Sequence, residues 1–162
     1  MSELVKKAEK YAKNLDYGSA YKLLVEADAK GDPIASYALG TWYLFGRYVD
    51  KDYKKAVSYL NKASKKGSKD ALFNLAVCYE VGAGVDKNPV KAFHNYYEAF
   101  KHGDIGSAYE IGRCLYYGIG VTKNTELADY FLNLANQNGY SYPSNRKARK
   151  PSSRPSLAIA AG

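Results

Sequence analysis

The stretch GAGVDKNPVKA, Gly82 to Ala92, holds residue types that could do chemistry. Two glycines flank one residue, and an aspartate, two lysines and a proline follow. Glycines let backbone N–H groups approach an anion, so such a loop could cradle a phosphate. A P-loop, however, needs its lysine followed by serine or threonine at fixed spacing, and that pattern is absent. Other chemical constellations fare no better. His94 and His102 lie eight residues apart, with no cysteine or glutamate at metal-ligand spacing. Asp50, Asp52 and Asp86 sit where turn and capping chemistry accounts for them. With no nucleophile–base pair, metal cluster or paired carboxylate at useful spacing, the chain is read as non-enzymatic, with no cofactor and no metal.

The glycine-rich stretch is not alone. Thirty-six residues upstream the chain reads GRYVDKDYKKA, and thirty-six downstream it reads GIGVTKNTELA. Gly67, Gly103 and Gly139 form one column, and Ala63, Ala99 and Ala135 another. Three copies align without a gap. A fixed period of this size signals a repeat array, and it favours a structural turn over a phosphate cradle.

The elements that must carry these columns follow from one unit. Ala35, Leu39, Trp42 and Tyr43 fall at i, i+4, i+7 and i+8, one face of a helix. Asp32-Pro33 reads as an N-cap followed by a first-turn proline. Gly46 stands where a left-handed residue ends a helix. Val49 plugs the loop inward, and a second helix runs from about Tyr53 to Lys66, with Ala56, Val57, Tyr59, Leu60 and Ala63 inward. Asn88 and Pro89 repeat the cap signal. Upstream, Asp16 to Ala20 matches Asp52 to Ala56, and Ala27 matches Ala63. Residues 1–34 are therefore expected to form a capping hairpin, residues 35–142 three repeats, and the whole an all-α, right-handed superhelical α-α solenoid of about four helix hairpins.

Bulk properties agree. The 162 residues suit one domain, and 46% are hydrophobic. No apolar run approaches the roughly 20 residues of a membrane helix. The first residues lack an apolar signal region, so a cytoplasmic setting is expected. Cys78 and Cys114 share a column with Trp42, which points to buried, reduced thiols. Net charge is +8, of which residues 143–162 contribute Arg146, Lys147, Arg149, Lys150 and Arg154 without an acid. That serine- and proline-rich basic tail is expected to be mostly disordered.

These columns resemble Sel1-like repeats, relatives of the tetratricopeptide repeat. The resemblance rests on Ala71, Leu75, Tyr79, Gly82, Gly84, Val85, Lys91, Ala92, Ala99 and Gly103 in the second unit, and it covers about residues 16–142. The first unit matches at Ala35, Leu39, Gly40, Tyr43, Gly46 and Val49, the third at Gly112, Gly118, Gly120, Val121 and Ala128. Departures are Tyr48 for the second loop glycine, Ala76 for the helix glycine, Leu115 for the tyrosine and Leu127 for the lysine. The resemblance implies a protein–protein interaction role, as adaptor or scaffold. Penicillin binding and β-lactamase activity attributed to relatives find no S-x-x-K motif with its partners here.

By analogy with tetratricopeptide geometry, a partner's peptide or helix would lie in a concave groove lined by the first helices. The lining expected is Tyr37, Thr41, Leu44 and Phe45, then Phe73, Val77, Glu80 and Val81, then Tyr109, Arg113, Tyr116 and Tyr117. Tyrosine and arginine are favoured anchors at interfaces, although Tyr37, Phe73 and Tyr109 equally suit packing between repeats. The alternative is a nucleic-acid- or anionic-membrane-associated protein acting through the basic tail; nucleic acid ranks behind protein as partner. A weak homodimer through the terminal hairpins completes the expectations.

Overall fold

The computed structural model describes residues 1–140; the tail with Arg146, Lys147, Arg149, Lys150 and Arg154 lies outside the described residues. Those residues form an all-α repeat fold of eight helices: α1 (Glu3–Lys13), α2 (Tyr17–Ala29), α3 (Pro33–Phe45), α4 (Tyr53–Ser64), α5 (Lys69–Val81), α6 (Pro89–Lys101), α7 (Ser107–Tyr117) and α8 (Thr125–Gln137). The starts of the second helices use one device. Asp16, Asp52, Asn88 and Asn124 each accept from the backbone N–H three residues on, at 3.0, 3.0, 2.9 and 3.0 Å. Each satisfies an N–H that has no helical acceptor. At the start of α3, Asp32 accepts from Ile34 at 2.8 Å and Pro33 fills the first position.

The helices gather into two compact units, over residues 1–71 and 72–140. In the first, α1 packs on α2, α2 on α3 and α3 on α4. Val5, Leu24, Leu39 and Trp42 fill its core, with Val49 partly buried against them. In the second, Phe73 of α5 meets Tyr96 of α6 edge to face, α6 packs on α7, and α7 on α8. Ile111, Cys114, Leu115 and Phe131 are buried there.

Small side chains set how closely these helices approach. Ala20, Ala56, Ala92 and Ala128, spaced one repeat apart, are at most 1% exposed, and Ala27, Ala63, Ala99 and Ala135 are wholly buried. Gly40 and Gly112 go further. A Cβ at Gly40 would lie 2.9 Å from Leu60 Cγ, and one at Gly112 would lie 2.6 Å from Leu132 Cγ. In both hairpins the glycine lets the second helix press its leucine onto the first helix's backbone.

The loop between the helices closes the same way three times. The amides of Arg47, Ala83 and Ile119 donate to Trp42, Cys78 and Cys114. Those of Asp52, Asn88 and Asn124 donate to Tyr43, Tyr79 and Leu115. In GAGVDKN the amides of Gly82, Ala83 and Asn88 are therefore spent on the chain's own carbonyls. The stretch is a turn.

One loop position shows a compensating exchange. Gly84 and Gly120 have positive φ, and Tyr48 takes the same left-handed conformation at φ 60°. In the second unit the loop crosses the start of α6 so closely that a Cβ at Gly120 would fall on the Pro89 carbonyl. In the first unit the glycine sits on the other side of the contact. Gly18 in α2 leaves room for the Tyr48 ring, whose hydroxyl would stand 3.3 Å from an added Cβ. Tyr48 also packs against Tyr21 and Trp42, at 5.8 and 5.9 Å between ring centres.

Gly120→Ala must therefore shift backbone as well as hold a left-handed alanine. Gly139 has a similar φ of 81° with open space around it, so Gly139→Ala carries only the conformational cost of about 1 kcal/mol. Thermal unfolding is expected to show a clearly larger loss for Gly120→Ala than for Gly139→Ala.

Candidate partner-binding face

Arg113 is held by two carboxylates. Its Nε donates to Glu110 Oε2 at 2.8 Å, and its Nη2 donates to Glu80 Oε1 and Oε2 at 2.7 and 2.9 Å. The Tyr96 hydroxyl donates to Glu80 Oε2 at 2.8 Å. Three helices meet in this network: Glu80 lies in the last turn of α5, Tyr96 lies inside α6, and Glu110 and Arg113 are one turn apart on α7. Glu110 is 4% exposed, and the Arg113 side chain 23%.

Burial opposes a charge on Arg113. The hydrogen bonds and charges of Glu110, then of Glu80, outweigh it and hold the guanidinium above its ordinary pKa. Burial first, then the charges of Glu110 and Glu80, pushes the Tyr96 phenol well up, so it stays a donor. Both carboxylates are engaged by the one guanidinium. Arg113 is thus a structural cation, committed within the fold, rather than the free anchor its position in the sequence suggested.

The other anticipated face residues divide by depth. Thr41 is a correction: it is 2% exposed, and its hydroxyl donates to the Ala38 carbonyl at 2.8 Å. Its small side chain lets α3 bury that turn instead of presenting it. Phe73, Val77 and Tyr109 are half-buried against the second unit's core. Tyr37, Leu44 and Glu80 are also half-buried. The residues left outside cluster at the ends of the first helices. Phe45, Val81 and Tyr117, the last residue of α3, α5 and α7, are 56%, 64% and 69% exposed. Tyr116 is exposed beside Tyr117, their rings edge to face at 5.0 Å, with the Lys123 ammonium 5.7 Å from the Tyr116 ring centre.

The sequence reading missed Glu110 and Tyr96. Glu110 was within reach, since an acid three residues before an arginine pairs on a helix. Tyr96 carried no signal, because its partner is on a different helix. His94 and His102 are exposed, and no group of metal-ligating side chains occurs among the described residues. Nor is any described helix long and apolar enough to cross a membrane.

The Sel1 repeat model matches residues 33–68, 69–104 and 105–140, two thirds of the chain. The chain belongs to the Sel1 repeat family. Sel1 repeats are generally protein–protein interaction modules and non-catalytic scaffolds. Solved structures agree on the fold. The Escherichia coli protein c5321, a protective antigen of uropathogenic strains, is 26% identical with a TM-score of 0.80, over 84% of this chain and 30% of that one. A Sel1 repeat protein from Oxalobacter formigenes gives 24% and 0.77, over 84% and 57%. Helicobacter pylori cysteine rich protein B gives 26% and 0.56, over 74% and 90%. The chain thus spans less than two thirds of the first two proteins. No curated protein matches it. Unlike a disulfide-built repeat, this Sel1 chain keeps Cys78 and Cys114 as free thiols in its core.

Arg113→Ala takes away the cation that the buried Glu110 and the half-buried Glu80 share, so a loss of roughly 3 kcal/mol is expected in denaturant unfolding. A loss under about 1 kcal/mol would place the network among ordinary surface pairs. Burial pushes both thiols up to about 11 from an ordinary value near 9. A raised pKa gives stability that is full below the unfolded value and lost as pH rises through the folded one. Stability is therefore expected to fall between about pH 9 and 11, less so in a Cys78→Ala/Cys114→Ala chain. Native thiols should also resist alkylation at neutral pH until the chain unfolds.

Proposed function

We propose that this chain is a non-catalytic adaptor or scaffold that binds a peptide or helix of a partner protein along the first helices of its repeats. The observation that carries the reading is the exposed column Phe45, Val81 and Tyr117, one apolar residue at the end of each first helix. A folded repeat buries its small residues and leaves these large ones in water, at one position used three times over. Tyr116, Leu44 and the half-buried Glu80 belong to the same reading, as do the partly buried Tyr37, Phe73, Val77 and Tyr109. Arg113 contributes by fixing Glu80, whose side chain stays 25% exposed. A cytoplasmic setting belongs to the same reading, supported by the two reduced thiols in the core.

The test replaces the column without touching the core. The full chain carrying Phe45→Ala, Val81→Ala and Tyr117→Ala is compared with wild type by affinity capture and mass spectrometry. Exposed substitutions of this kind cost about 0.5 kcal/mol or less each, so circular dichroism should be unchanged. Specific loss of a captured protein is the expected outcome; an unchanged set of captured proteins would contradict the reading.

A further inference from the structure

The first unit is basic where the second is not. Residues 1–71 hold 14 basic and 9 acidic side chains, residues 72–140 hold 5 and 7. The excess is concentrated on α4 and its flanks. Residues 51–69 include seven lysines and one acid, Asp52. Asp52 is already committed, capping α4 through the Lys55 amide and pairing with Lys55 Nζ at 3.6 Å. Lys62 pairs with Asp28. Among the described residues, Lys51, Lys54, Lys65 and Lys66 form no salt bridge. At the loop that leads into α4, Asp50 is the other carboxylate, exposed beside Lys51.

Arg47 lies in the loop that leads into α4. The two other repeats place Ala83 and Ile119 at its position, so the turn itself does not require an arginine. Its Nη1 is buried and meets no acceptor among the described residues. A guanidinium in that state is a donor lacking its anion, and its forked N–H groups suit a carboxylate or phosphate.

The aromatic rings nearby decide between possible anions. Phe45, Tyr48 and Tyr53 are exposed, as a base-stacking platform would be. Yet Arg47 lies over the Phe45 ring at 5.6 Å and Lys51 over Tyr53 at 5.8 Å. Further along α4, Lys55 covers Tyr43 and Lys62 covers Tyr59, while Tyr43 and Tyr59 stack on each other. Ring faces are taken by the protein's own cations and rings. What remains on offer is positive charge framed by apolar edges, which matches carboxylates with interspersed apolar side chains.

We infer that the α3–α4 loop and the exposed face of α4 bind an acidic segment of a protein partner, with Arg47 taking a carboxylate and Lys51 and Lys54 flanking it. The inference rests on the protein-binding reading above and adds the partner's chemistry at a second surface. Removing Arg47 leaves no buried partner behind, so its substitution tests binding rather than folding.

Fluorescence anisotropy on the full chain, with a short labelled peptide of alternating acidic residues and leucine, provides the test. Wild type is expected to bind, more weakly as salt rises. Arg47→Ala should weaken binding about tenfold, the worth of one charge-assisted pair, Arg47→Lys should weaken it less, and Lys51→Ala/Lys54→Ala should weaken it further. Neutralising Arg146, Lys147, Arg149, Lys150 and Arg154 should change it little. No peptide binding, binding indifferent to Arg47, or binding abolished by the tail substitutions would each overturn the inference and leave the Phe45 column reading standing. Tighter binding of oligo(dT), or of phosphatidylserine vesicles, than of the peptide would overturn both.

Discussion

Close approach of helices through Cβ-sized side chains is the constraint on which the rest of the molecule depends. Each repeat is a pair of short helices, and neither helix buries enough surface to stand alone. Alanine at the positions of Ala56 and Ala63, and glycine at Gly40 and Gly112, let backbones meet and leucines such as Leu60 and Leu132 press directly onto them. The same demand reaches the loops. Gly120 lies against the Pro89 carbonyl, and where Tyr48 replaces that glycine, Gly18 supplies the missing room.

This packing pushes large side chains outward, and the outward residues are where function can vary. Leu127 is 43% exposed while its neighbour Ala128 is wholly buried, an inversion of the usual preference of apolar bulk for the interior. Phe45, Val81 and Tyr117 follow the same logic at the ends of the first helices. Charge is distributed by the same division of labour. In the second unit Arg113 is drawn inside and paired with Glu80 and Glu110, whereas in the first unit the buried Nη1 of Arg47 meets no acceptor among the described residues. The exposed large residues and the basic residues thus lie off the buried alanine columns.

Much of the fold was legible because its signals are local. Asp32-Pro33 and Asn88-Pro89 start helices, Gly46 and Gly118 end them in left-handed conformations, and the period fixes which positions share an environment. The free, buried cysteines followed from their column with Trp42. The site was less legible. Arg113 reads as exposed on a helical wheel, but Glu80 is 33 residues away in sequence and only packing of α5, α6 and α7 brings them together. Thr41 sits in a column of larger residues, Val77 and Arg113, yet its short side chain bonds its own helix and disappears inside. Arg47 was passed over because its column in the other repeats is plain loop filler, and its unsatisfied nitrogen is visible only in three dimensions.

The central claim is that position in the repeat, rather than hydrophobicity, decides what is buried. Denaturant unfolding of Leu127→Ala beside Ala128→Leu tests it on adjacent residues of α8. Leu127→Ala should stay within about 0.5 kcal/mol of wild type, while Ala128→Leu should lose about 1–3 kcal/mol from overpacking. A large loss from Leu127→Ala, or a neutral or stabilising Ala128→Leu, would contradict it.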